Sequence, residues 1–141
     1  MQSGSFAASL MPFAAIGTGK SYAQSLMPKY ITVHSLDIAC FAAVNIIRQV
    51  KESVPYCGKH TQVWYRKRQS DNGKYIMAHD VRRLEQLFQE YEVAQILQFF
   101  KIVRSPNDGV NPDADETGDR ETSERFSDLR EAFREVATKI F

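Results

Sequence analysis

The chain has 141 residues, enough for a single core and too few for two comfortable domains. Hydrophobic residues make up 43% and charged residues 25%, a balance that excludes a disordered or fibrous chain. A formal net charge of +1 excludes a strong global field, so nucleic acid is not among the expected partners.

In chain order, residues 5–16 are apolar and run into Gly17-Thr18-Gly19, the pattern of a buried strand entering a tight turn. Residues 20–27 favour a short helix that Pro28 stops. Ser35 is placed as an N-cap, with Asp37 near the positive helix start. From 36 to 50 the sequence is apolar almost all round a helix. Leu36, Ala39, Ala43, Ile46, Ile47 and Val50 form one stripe, and Ile38, Phe41, Ala42 and Val44 fill much of the rest. Such a helix is expected to be covered on more than one side.

Pro55-Tyr56-Cys57-Gly58 ends that helix, and residues 61–68 are rich in β-branched and aromatic side chains. Asn72-Gly73 is a strong hairpin signal, with 74–79 as the returning strand. Asp80 is expected to cap a long helix through 103, its apolar face carrying Val81, Leu84, Leu87, Phe88, Tyr91, Ala94 and Leu97. Residues 105–122 combine Pro, Gly and acids and read as a flexible linker. Ser123 then opens an amphipathic helix bearing Phe126, Leu129, Phe133, Val136 and Ile140, which docks on its own domain or on a partner. The expected organisation is 1–104, a linker 105–122, and a C-terminal helix 123–141.

Charge is uneven along the chain. Over 48–83 nine basic residues outnumber Glu52, Asp71 and Asp80, whereas over 105–125 seven acids outnumber Arg120 and Arg125. Cys40 and Cys57 do not make a disulfide framework, and Cys40 reads as a small buried hydrophobe. The N-terminus lacks a cationic start and Pro12 interrupts it, so a secretory signal is not expected. No uncharged stretch reaches the ~18 residues that span a bilayer. The expectation is a cytoplasmic protein with no membrane partner.

Three chemistries are open to these residues. Residues 14–21, AAIGTGKS, fit a relaxed phosphate-binding loop, with Gly19, Lys20 and Ser21 as the phosphate-contacting set. The order of elements lacks the alternating strands and helices that such a loop needs. Cys57 and His60 have a ligand-like spacing without a second pair, so no metal is expected. Trp64, Tyr65, Arg66, Lys67 and Arg68 mix aromatics with cations on the hairpin, a pattern for stacking bases or simply a solvated edge.

The order of the pieces resembles proteasome-type subunits of the N-terminal-nucleophile hydrolase superfamily over residues 6–103. Their strand-to-helix motif "aIGsG…YA" is similar to Ile16-Gly17-Thr18-Gly19-Lys20-Ser21-Tyr22-Ala23, and their later turn "pySGG" to Pro55-Tyr56-Cys57-Gly58-Lys59. The motif positions that match are Gly17, Thr18, Gly19, Tyr22, Cys57 and Gly58. The resemblance implies an α+β fold, part of a four-layer αββα sandwich, contributing two helices, a β-hairpin and a C-terminal helix.

That family's nucleophile is an N-terminal threonine lying well before this region, so no position inherits a catalytic role. Ser3 and Ser5 do not become N-terminal on removal of Met1. Where active members have supporting Asp and Ser near the turn, this chain has Val54 and Cys57; only Thr18 keeps a hydroxyl. What the resemblance implies is a truncated or non-catalytic subunit, without cofactor, acting by homo- or hetero-oligomeric assembly with proteasome-like chains. Half of such a sandwich leaves sheet and helix faces to be covered by another chain or segment.

Overall fold

The computed structural model describes residues 14–30, 35–58, 60–69, 72–104 and 112–141, with the backbone alone over 112–119. These residues form four α-helices and one two-stranded antiparallel sheet, and the chain divides into two compact units, Met1–Val81 and Arg82–Phe141. The division falls inside a helix, not at residue 104. No helix among the described residues is long and apolar enough to cross a membrane.

In the first unit, most of the strand expected over 5–16 lies outside the described residues. Residues 14–16 form no strand, and Ile16, expected inside, is 95% exposed, because no strand among the described residues pairs with it. Gly17 has φ +93°, and its carbonyl accepts the Lys20 N–H at 3.1 Å. The turn delivers the chain into α1 (Lys20–Leu26). Pro28 then lies in a 3-10 turn, Met27–Tyr30, since it has no N–H to continue the α ladder.

Helix α2 (Leu36–Ser53) runs three residues past the expected end at 50. Ser35 occupies the N-cap position, but its side chain makes no cap hydrogen bond. Asp37 Oδ1 instead accepts the Ile38 N–H at 2.9 Å. A hydrogen bond from Ser35, then that from Ile38, holds the Asp37 carboxyl below its ordinary pKa. Burial of Ala42, Val44 and Ile46, alternate positions that fall on opposite sides of a helix, shows that α2 is covered on more than one face. Ala23 and Leu26 of α1 pack with Ile46 and Val50 of α2 into one buried cluster.

The hairpin is shorter than the sequence predicts. Strand β1 is Trp64–Tyr65 and β2 is Lys74–Tyr75, with Trp64 opposite Tyr75 and Tyr65 opposite Lys74. The Ile76 N–H extends the ladder to the Val63 carbonyl at 2.9 Å. One face of the hairpin, carrying Val63, Tyr65 and Ile76, is buried.

Helix α3 (Ala78–Arg104) starts two residues before the expected cap. Asp80 is therefore inside the first turn, its backbone N–H bonded to the Met77 carbonyl at 3.0 Å. Its carboxylate is buried, 3.3 Å from His79 Nε2.

The second unit pairs the rest of α3 with α4 (Pro112–Ile140). Ring contacts join Phe88 to Phe133 at 4.9 Å and Tyr91 to Phe126 at 5.7 Å, and Lys101 Nζ donates to Thr122 Oγ1 at 2.7 Å. Partners retreat along α4 as they advance along α3, so the helices are antiparallel. The C-terminal amphipathic stripe thus docks within its own unit. Helix α4 also corrects the expected linker, being helical from Pro112 instead of Ser123. Proline at the first helical position has its φ preset for the helix. The composition that reads as disorder serves equally as a helix start.

Candidate functional site

The two stretches that carry the family resemblance meet in space. A β-carbon on Gly19 would collide with Val50 Cγ1 and stand 3.3 Å from Cys57 Sγ. Glycine here lets the start of α1 lie against the end of α2 and the following turn. Cys57 and Val54 pack beside the cluster of Ala23, Leu26, Ile46 and Val50, and Ser53 Oγ donates to the Tyr22 hydroxyl oxygen at 3.1 Å. Gly19, Tyr22 and Cys57 are therefore gathered around one helix end; Gly17, Thr18 and Gly58 lie exposed at its rim.

The turn after α2 is made by Tyr56, a non-glycine residue at φ +69° with its side chain fully exposed. A bulky residue in that region costs about 1–3 kcal/mol and persists only where its surroundings fix it. Val54, Cys57 and the Cys57 N–H bond to the Val54 carbonyl at 3.4 Å hold the turn in place.

Neither the phosphate-loop set nor the metal pair gains a built site from this geometry. Gly19 is committed to packing against Val50, Lys20 and Ser21 are exposed, and α1 has only seven residues. Among the described residues, no three His, Cys, Asp or Glu side chains gather as a metal site. The two thiols differ in kind. Cys40 is buried, and burial, followed by the charge of Asp37, pushes its thiol pKa up; Cys57 is half-buried beside Gly19.

A polar network that sequence reasoning missed fastens the 3-10 turn to α2. Arg48 is buried, with Nη1 donating to both Glu52 carboxylate oxygens at 2.9 and 3.0 Å. Its Nε and Nη2 donate to Asn45 Oδ1 at 3.2 and 3.0 Å, while Asn45 Nδ2 donates to the Tyr30 hydroxyl at 2.7 Å. The one available signal was Asn45, Arg48 and Glu52 at helical spacings of three and four.

Helix α3 carries a second apolar stripe. Leu84 and Leu87 belong to the first and are fully buried, as nearly is Ala94. Val93, Ile96, Leu97, Phe100 and Val103 recur at spacings of three and four and are all exposed. At ~100° per residue they lie on the side of α3 opposite Leu84 and Leu87. Leu97, which the sequence assigns to the first stripe, is thus on the second. Compared with known proteins, the chain matches no family model, no curated protein and no solved structure.

Proposed function

We propose that this chain is a non-catalytic, proteasome-like subunit that acts through assembly with other chains. The observation that carries the reading is the second stripe of α3. Five large apolar side chains at helical spacing, each about half exposed or more, form the pattern of a helix–helix interface. Covering them is worth roughly 1 kcal/mol per side chain, and a self-association through the stripe gains that on both copies. The family resemblance supplies the kind of assembly. Its two motif stretches pack against each other through Gly19 and Cys57, and the helix–helix–hairpin–helix order over 20–104 supports the reading. In this reading the remaining layers come from another chain or segment.

The glycine-rich turn then serves chain geometry, and Thr18 is an exposed hydroxyl without a general base beside it among the described contacts. Size-exclusion chromatography with light scattering on the full chain tests the reading. The expected species is an oligomer that Ile96→Asp with Phe100→Asp converts to monomer while helical circular dichroism is kept. A wild-type chain that is monomeric and cooperatively folded across the micromolar range overturns it.

A further inference from the structure

The register of the hairpin joins residues that are distant in the sequence pattern. Trp64 and Tyr75 are directly opposite each other, so both project from the same face. That face is the one opposite Val63, Tyr65 and Ile76, and its residues are open: Trp64 is 53% exposed and Tyr75 70% exposed. The aromatic pair is therefore Trp64 with Tyr75; Tyr65 is buried and cannot take part.

Gly73 completes the arrangement. A β-carbon there would fall inside the Trp64 indole, so the ring lies across the backbone of the returning strand and any side chain at 73 would displace it. Arg66, Lys67 and Arg68 follow β1 directly and are all exposed, Lys74 starts from the other face opposite Tyr65, and from 63 to 77 the one acid in the sequence is Asp71. A net charge of +1 for the whole chain conceals this local excess.

We infer that this hairpin face binds single-stranded nucleic acid, with Trp64 and Tyr75 stacking bases and Arg66, Lys67 and Arg68 contacting phosphates. Two open aromatic faces need planar ligands, and a run of three cations needs a polyanion; a single strand supplies both along one chain. An acidic peptide answers the charge and leaves the two rings unused. The surface is in the other compact unit from the second stripe of α3, so it is independent of the assembly reading.

Trp64 is the sole tryptophan, which makes the site its own reporter. The experiment titrates the full chain, in whatever assembly it forms, with a short oligouridylate and follows indole fluorescence. Long-chain polyphosphate and polyglutamate are run in parallel. The expected result is saturable quenching by oligouridylate alone, with a slope of log affinity against log salt of about −2 from about three phosphate contacts. Tyr75→Ala should weaken binding about tenfold. Arg66→Glu with Lys67→Glu should remove it at moderate salt, with the thermal midpoint unchanged.

Absence of quenching up to ~100 μM strand at low salt overturns the proposal. So does polyglutamate binding that matches oligouridylate, or binding that survives the charge reversal. Should Tyr75→Ala unfold, the charge-reversal variant decides alone.

Discussion

Helix α3 holds two apolar stripes with opposite fates. The first is buried at Leu84 and Leu87, where α4 runs antiparallel along the helix with Phe133 against Phe88 and Phe126 against Tyr91, and it opens only towards the helix end, where Phe99 and Ile102 are exposed. The second, from Val93 to Val103, has the same spacing and comparable residues and remains open. Periodicity reports that a face is to be covered; it does not report by what. A buried stripe stabilises the fold, whereas in the proposed assembly the open one supplies free energy for association.

The sharpest way to break this comparison is to truncate one residue in each stripe. Leu87→Ala removes a fully buried side chain and should cost about 2–5 kcal/mol of stability in chemical denaturation. Val103→Ala should change monomer stability by less than ~0.5 kcal/mol while weakening association. Equal losses of stability from both would erase the distinction.

A smaller effect is expected at the motif turn. Gly19→Ala drives a methyl group into Val50 and should destabilise by about 1–3 kcal/mol. Gly17→Ala meets no atom within 4 Å and strains only the backbone at φ +93°, at a cost of ~1 kcal/mol. Denaturation midpoints ordered Gly19 below Gly17 below wild type support the packing role of Gly19. The reverse order would return the turn to a purely conformational role.

The thiols extend the contrast of covered and open sites to chemistry. Cys57 should react with a maleimide or aromatic disulfide reagent well before Cys40, which is buried and whose thiol is held protonated by burial and by Asp37. Peptide mapping after brief labelling checks the order.

The smallest effect concerns pH. The folded pKa of Asp37 is depressed, so its contribution is fully present above the unfolded carboxylate value of about 4 and is lost as pH falls through the lower folded value. Asp37 is only partly buried, so the change should be slight and should vanish in Asp37→Asn. Acid titration of the two melting curves tests it.

What the sequence made legible follows from local physics. Pro28 closes α1, the apolar run gives α2, Asn72-Gly73 lies between the paired strands, and the spacing through Tyr91 gives the covered face of α3. Cys40 is buried as its apolar surroundings predict. The misreadings arise where one composition serves two states. Acids with Pro and Gly mark a linker, yet proline, with its φ preset, also suits the first position of a helix, and the helix starts at Pro112. The aromatic–basic run 64–68 reads as one cluster along the chain, whereas pairing across the hairpin divides it, burying Tyr65 and bringing Tyr75 to Trp64. The Arg48 network was hidden because arginine in a helix pattern reads as solvated until its partners are seen.

The measurement that bears most directly on the assembly claim is light scattering coupled to size exclusion, performed on the wild-type chain and on Ile96→Asp with Phe100→Asp. An oligomeric wild type and a folded, monomeric double variant are the predicted result. A wild type that elutes as a stable monomer with a cooperative melt, indistinguishable from the variant, would contradict it.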